Sequence, residues 1–193
     1  MHLGDKIIGL AVVVTDVTEV EEHEATLVAL TEAAVDAIAA AAEARDPYTA
    51  GHQERVAELS VAIANELGID QTDVDGIRMA ARIHDIGKLS TPSEILTKPG
   101  ALRASELALV REHAQAGYEI MRGVVFTWPG RHMILQHHER LDGTGYPNGL
   151  HGDEILLGAR IIAVADVVRV CLRLFRDGEF TFSLQDDDQL DRD

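Results

Sequence analysis

The sequence predicts an all-α fold, and three observations carry that expectation. Alanine and leucine dominate an apolar fraction of 46%, whereas aromatics make up only 4%, a balance that favours helix over sheet. Apolar residues recur at spacings of three and four, as in Leu27, Leu30, Ala34, Ile38 and Ala41, which is the stripe of an amphipathic helix. Between such stretches stand Pro- and Gly-containing breaks such as Asp46-Pro47, Gly68 and residues 90–100. At 193 residues the chain suits one domain with room for an appended piece.

Charge and cysteine content narrow the function classes. The net charge of −16 argues against DNA, RNA or an anionic membrane surface as the main partner. A small anionic substrate stays open, because a bound metal reverses the local field. The single Cys171 rules out an internal disulfide and fits a reducing compartment. The longest apolar run, Ile7 to Val14, is too short to span a bilayer and lacks a signal-peptide pattern. The chain therefore reads as cytoplasmic, without membrane insertion.

Taken in order, residues 7–15 (IIGLAVVVT) are continuous and β-branched and read as one buried strand. Such a strand needs a partner from elsewhere. Residues 19–44 form a helix that either pairs with a second copy of itself or packs within the chain. A helix over 52–67 ends at Gly68, and Asp70 or Thr72 caps the next, which carries MAARIHDIGKL. Residues 105–122 form a helix bearing His113, 130–140 one ending in His137 and His138, and 159–175 a buried helix holding Asp166. The tail from Asp177 holds seven acids and Arg192, a net −6 of the −16, and reads as solvated.

Five of the nine histidines and two aspartates converge on one chemistry. His84 and Asp85 are adjacent, with Lys88 four residues after His84 and on its face if the helix continues. His52, His113, the adjacent pair His137 and His138, and Asp166 lie on four different helices. Nitrogen and oxygen ligands without thiolate favour iron or manganese over structural zinc. Seven ligands exceed the needs of one ion and suit two divalent metals, and the two oxygens of a carboxylate such as Asp85 can bridge them. After the histidine pair, the loop with Gly143, Gly145 and Gly149 lets backbone pass close to a bulky ligand. Glu139, Arg140 and Asp142 read either as groups orienting His138 or as surface charges. His23, His132 and His151 read as solvent-facing, and Cys171 as a core thiol.

The segments DPYTAGHQERVAELS, ARIHDIGKLSTPSEILTKPGAL, REHAQAGYEIM, HHERLDGTGYPNGLHGDEI and ARIIAVADV together resemble the HD-GYP phosphodiesterases, the HD-superfamily branch that degrades cyclic di-GMP. The resemblance covers about residues 46–168. It implies an HD-superfamily helical bundle and metal roles for His52, His84, Asp85, His113, His137, His138 and Asp166. Asp85 would bridge two ions and Lys88 would meet the scissile phosphate, making these two the catalytic pair. Gly145, Tyr146 and Pro147 would form the loop of the family name, beside substrate. A third metal in some members uses a carboxylate one turn before the first histidine, where this chain has Tyr48. The implied reaction is hydrolysis of cyclic di-GMP to pGpG or GMP by metal-activated hydroxide.

Residues 1–18, and GLAVVVTDVTEVEEHEATL in particular, resemble the last strand of a PAS sensor domain and its exit. Residues 19–45 would then be a signalling linker that brings two copies together, 46–176 the HD-GYP domain and 177–193 an acidic tail. After Val168 the family pattern is lost. Phe175 stands where the family has a phosphate-binding arginine, and Arg176 follows one residue later as the candidate substitute, on a helical face with Arg169 and Arg173. Two rivals therefore stand beside the phosphodiesterase: a weakly catalytic module that binds cyclic di-GMP or a partner such as a GGDEF diguanylate cyclase, and a phosphohydrolase for another nucleotide.

Overall fold

In the computed structural model the described residues are 2–3, 6–7, 12–45, 51–124 and 128–176, with side-chain surroundings for 12–23, 25–45, 51–124 and 128–172. Two short strands, β1 (His2–Leu3) and β2 (Lys6–Ile7), pair antiparallel. Eight α-helices follow among the described residues: α1 (Thr18–Glu43), α2 (His52–Glu66), α3 (Gln71–Ile83), α4 (Ser93–Leu96), α5 (Ala104–Arg111), α6 (His113–Ile120), α7 (Gly130–Gln136) and α8 (Leu157–Arg176). The all-α expectation holds. Of the strand expected over 7–15, Ile7 belongs to β2, residues 12–15 have no regular structure, and 8–11 lie outside the described residues. Val12, Val13 and Val14 are exposed, so this β-branched run has no second surface to pack on. The break at Asp46-Pro47, Tyr48 and the acidic tail also lie outside the described residues.

The chain forms two units, Met1–Ala34 and Val35–Asp193. In the first, the expected stripe residues Leu27 and Leu30 are exposed. By length and composition alone α1 is also long and apolar enough to cross a membrane, a property that Thr31, Glu32 and Asp36 hide from a search for unbroken apolar runs. Ala34 is exposed as well, and in the second unit α1 buries Val35 and Ala42 rather than Ile38 and Ala41.

The core of the second unit lies among α2, α3, α7 and α8. Val56, Ala57, Ala64, Val74, Ile77, Ala80, Ala81, Ile162 and Ala165 are all 2% exposed or less. The many alanines let the helix backbones approach closely, so little side-chain volume separates the residues that line the site. A smaller cluster joins Val35 of α1 to Ile83, Ile86, Met121 and Ile134. Asp70 caps α3 by accepting from the Thr72 and Asp73 amides at 3.0 and 3.2 Å.

Five expectations need correction. The helix expected over 105–122 is two helices, because the His113 ring takes the Val110 carbonyl at 2.7 Å and competes with the backbone ladder there. The helix carrying His84 does not continue to Lys88: α3 ends at Ile83 and a 3-10 turn runs Ile86–Ser90. Only the first half of α8 is buried, through Ala159, Ile161, Ile162 and Ala165. Val164, Val167, Val168, Val170 and Leu172 are exposed, and so is Cys171, which is not a core thiol. His132 is half-buried against Tyr118, with ring centroids 5.3 Å apart.

Candidate metal centre and cleft

Helix ends build the site. A helix leaves its last carbonyls without backbone partners, and histidines here fold back to supply donors. His84, at the end of α3, hydrogen-bonds through Nδ1 to the Ala81 carbonyl at 2.7 Å. His137, at the end of α7, does the same to Ile134 at 2.6 Å, and His113, opening α6, to Val110. Each bond runs three residues back, and each assigns the ring proton to Nδ1. The Nε2 lone pairs are thereby turned away from the backbone and into the interior, the arrangement by which proteins orient histidine ligands.

Those lone pairs meet. His113 Nε2 and His137 Nε2 are 3.3 Å apart, and two acceptors at that distance repel unless a cation or proton lies between them. His84 Nε2 is buried and has no hydrogen-bond partner. Potential ligand atoms fall into two groups, His113 with His137 and His138, and His52 with His84 and Asp85, each within 4.8 Å. Asp85 reaches both: its Oδ2 is 3.4 Å from His84 Nε2 and its Oδ1 3.5 Å from His113 Nε2. Asp166 joins from α8, 2.9 Å from His52 Nε2. An orphaned imidazole nitrogen, facing lone pairs and oxygen and nitrogen donors alone make a donor set that fits divalent metal ions.

The electrostatics agree. Burial, together with its histidine neighbours, pushes His137 well below the usual imidazole range and His138 down to about 4. His113 is lowered chiefly by burial. These three imidazoles are neutral near neutral pH, the state a metal ligand needs. His84 is opposed by burial, but the Asp85 carboxylate outweighs it and raises His84 to about 9. Burial likewise opposes ionisation of Asp85, and the His84 and Lys88 charges overcome it to hold the carboxyl well below its ordinary value. A proton on His84 and the Lys88 ammonium, 2.7 Å from Asp85 Oδ2, thus balance the buried carboxylate in the metal-free protein.

Close backbone approach sets the spacing. A Cβ on Gly87 would lie 1.8 Å from the His113 carbonyl oxygen and 2.6 Å from the Gly117 amide. Only glycine lets the 3-10 turn after Asp85 press against α6 and bring His113 within reach. Neither glycine was singled out from the sequence, although both lie inside the matched segments.

The loop after His138 is clamped from within. Glu139 is 5% exposed, and its carboxylate accepts from the Asn148 amide at 2.7 Å and the Leu150 amide at 3.0 Å. It therefore neither orients His138 nor sits on the surface. Asp142 stays exposed and accepts from the Thr144 amide and hydroxyl at 2.9 and 2.7 Å. Gly145 runs against the Glu139 and Arg140 backbone. The next amide, Tyr146, donates to the His138 carbonyl at 3.1 Å. The Tyr146 ring stacks on His138 with centroids 4.8 Å apart, and burial raises its hydroxyl to about 12. Pro147 is exposed after a cis Tyr146-Pro147 bond, and exposed His151 caps a turn with Glu154.

A cleft of about 1010 Å³ opens beside His137, His138 and Asp166 and is walled by Gly145, Tyr146, Ala163 and Val167. Arg111 also lines it and places its guanidinium 5.2 Å from the Tyr146 ring centre. Its signal in the sequence was its place two residues before His113. Arg169 is not on a free basic face: it donates to the Arg55 carbonyl at 3.0 Å and lies 3.8 Å from Glu58. Arg176 closes α8, but its side chain, like those of Arg173 and Phe175, lies outside the described residues.

Known proteins resemble this chain in sequence and fold. A family model described as an HD domain matches residues 36–169. The cyclic di-GMP phosphodiesterase response regulator RpfG of Xanthomonas campestris pv. campestris is 41% identical over 151 residues, 77% of this chain and 38% of that protein. The 3'3'-cGAMP-specific phosphodiesterase 3 of Vibrio cholerae is 45% identical over 136 residues, 70% of this chain and 30% of that protein. The chain thus spans well under half the length of these curated relatives. Among solved structures, an HDG"Y"P protein from Bdellovibrio bacteriovorus superposes with a TM-score of 0.55 at 25% identity, over 69% of this chain and 48% of the other. The HD domain of the L. monocytogenes phosphodiesterase PgpH, in complex with cyclic-di-AMP, shares the fold at TM-score 0.55 and 20% identity, over 77% of this chain and 88% of the other. With a family model that matches residues 36–169, most of its length, the chain belongs to the HD-domain family.

Proposed function

We propose that this chain carries a metal-dependent phosphodiesterase domain that hydrolyses cyclic di-GMP to pGpG or GMP. The carrying observation is Asp85, whose two oxygens face two separate histidine groups at 3.4 and 3.5 Å beside a cleft large enough for a dinucleotide. Relatives named for cyclic di-GMP and for 3'3'-cGAMP support a cyclic dinucleotide as the substrate class.

His52, His84, Asp85, His113, His137, His138 and Asp166 would hold two divalent ions, iron or manganese by their ligand type, with Asp85 between them. When bound, such ions offset phosphate charge and make water a nucleophile at neutral pH. The protein's own part is to hold these ligands neutral and correctly turned, and to aim Lys88 from beside Asp85 at the charge developing on the phosphate. Gly145 and Pro147 shape the loop that carries Tyr146 to the cleft. Arg176 is assigned to substrate at the end of α8. Residues 46–176 are the catalytic domain, 19–45 the linker, 1–18 a PAS-like remnant and 177–193 an acidic tail. Exposed Leu27 and Leu30 support pairing of two linker helices.

The lost family pattern after Val168 favours a second reading, a module that binds cyclic di-GMP or a diguanylate cyclase partner with little turnover. Anaerobic purification with elemental analysis, followed by chromatography of products from cyclic di-GMP and 3'3'-cGAMP, decides between them. About two metals per chain, with pGpG or GMP formed by wild type and not by Asp85→Ala, is the expected result. Tight binding without product by metal-loaded wild type selects the second reading.

A further inference from the structure

We propose that Arg111 is a substrate-binding residue that holds the phosphate of the cyclic dinucleotide that is not being cleaved; the proposal rests on the phosphodiesterase reading above. A cyclic dinucleotide carries two phosphodiesters on opposite sides of its ring. Only one of them can lie against the histidine–aspartate centre at a time. The other enters a chain of net charge −16 and needs a cation of its own.

Arg111 meets that need by position. It ends α5, two residues before His113, and lines the same cleft as His137, His138 and Asp166. Its guanidinium lies 5.2 Å from the centre of the Tyr146 ring, and that ring stacks 4.8 Å from His138. The positive charge is therefore held at a set remove from the metal centre, through one aromatic ring. A cation over a ring face uses no N–H as a hydrogen-bond donor, so the guanidinium keeps its donors to grip a phosphate with two parallel bonds.

The charge is also available. Among the described residues Arg111 makes no ion pair. Other arginines of the domain are committed: Arg82 to Asp36 and Glu54, Arg160 to Asp153, and Arg45 to the Leu89 and Thr91 carbonyls. Arg140, which also lines the cleft, shares its charge with Asp142. An arginine held on an aromatic ring, without a carboxylate partner, facing a cleft beside a phosphate-hydrolysing centre is built for an anion.

The test compares a substrate with two phosphates and one with a single phosphate. Metal-loaded Arg111→Ala is expected to raise KM for cyclic di-GMP by at least about tenfold, the loss typical of one charge-assisted bond, with a smaller change in kcat. Its loss on bis(p-nitrophenyl) phosphate should be at least several-fold smaller, and Arg111→Lys should fall between, since an ammonium keeps the charge without the fork. Equal losses on both substrates, or an unchanged KM for cyclic di-GMP, overturn the proposal. Calorimetric binding of a non-hydrolysable phosphorothioate analogue of cyclic di-GMP separates this outcome from failure of the functional reading. If wild type cleaves bis(p-nitrophenyl) phosphate but not cyclic di-GMP, the substrate assignment fails. Arg111 then stands if its variant binds the analogue at least several-fold more weakly, and falls if wild type and variant bind it alike or not at all.

Discussion

At His84 a single side chain carries two opposed demands. Its Nδ1 side is tied to Ala81, while its Nε2 is buried without a partner beside Asp85. In the metal-free protein a proton resides there, since the Asp85 carboxylate lifts His84 to about 9 against the pull of burial. A metal ligand must give that proton up. The sign follows directly: below pH 9 metal and proton compete, so apparent metal affinity falls as pH falls. Metal titrations at pH 8 by calorimetry, in buffers of different ionisation enthalpy, should reveal about one proton released per His84 site filled; no buffer dependence would sink the assignment. In the metal-free protein the same raised pKa favours folding fully below pH 6.5, and the contribution is lost as pH rises through about 9. Glycine makes a second prediction at this scale. A Cβ on Gly145 would stand 2.3 Å from the Arg140 nitrogen and 2.4 Å from the Glu139 Cα, both backbone atoms that cannot step aside. Gly145→Ala should therefore displace Tyr146 from His138, cost roughly 1–3 kcal/mol in urea unfolding and lower turnover. Wild-type stability with wild-type turnover would show that the loop has room.

Among elements, the junction of α1 and α2 has the clearest consequence. The Glu43 carboxylate accepts from the Gly51 amide at 2.9 Å and the Gln53 amide at 3.2 Å, the two residues on either side of His52. The opening amides of a helix have no backbone acceptors, and here the supply comes from the end of α1 rather than from a local cap. Helix α1 thereby grips the backbone that carries a candidate ligand. Glu43→Ala should cost about 1 kcal/mol, as loss of a helix cap does, and weaken metal binding through His52; Glu43→Gln should recover part of both. Denaturant unfolding and metal titration read the two effects separately, and a stability loss with unchanged metal affinity would confine Glu43 to the fold. The periodicity of α1 was legible in the sequence, but its inward face was not. Val35 and Ala42 are buried while Ile38 is open, because alanine-rich helices offer several nearly equivalent apolar stripes and only the neighbouring helix selects one.

For the molecule as a whole, seven polar or charged side chains converge in the interior of a strongly acidic protein. Buried charges persist when they are paired or coordinate metal. Removing bound metal leaves lone pairs facing each other, as between His113 and His137. Stripping metal with a chelator should thus lower the melting temperature by at least about 5 °C, with recovery on adding back Mn²⁺ or, anaerobically, Fe²⁺. An unchanged melting curve with metal loss confirmed by elemental analysis would mean that the centre contributes nothing to the fold. Asp85→Ala should show a smaller chelator effect, since the carboxylate that spans both groups is gone.

The sequence by itself determined the helical class, the stop at Gly68, a cap at Asp70 or Thr72, and which residue types carry the chemistry. Helical period, turn chemistry and ligand softness are properties of residues and their near neighbours, so they survive without a third dimension. The ordered motifs named His52, His84, Asp85, His113, His137, His138 and Asp166, and the structure brings all seven together. Tertiary structure decided the rest: that Asp85 spans two histidine groups, that Glu139 turns inward to clamp the loop, that Lys88 pairs with Asp85 from a 3-10 turn, and that Arg111 lies over Tyr146. Apart from the local Lys88 pair, each of these depends on which other stretch of backbone comes close. That closeness is set by glycines and alanines such as Gly87, Gly117 and Ala80, whose importance is the volume they leave unfilled.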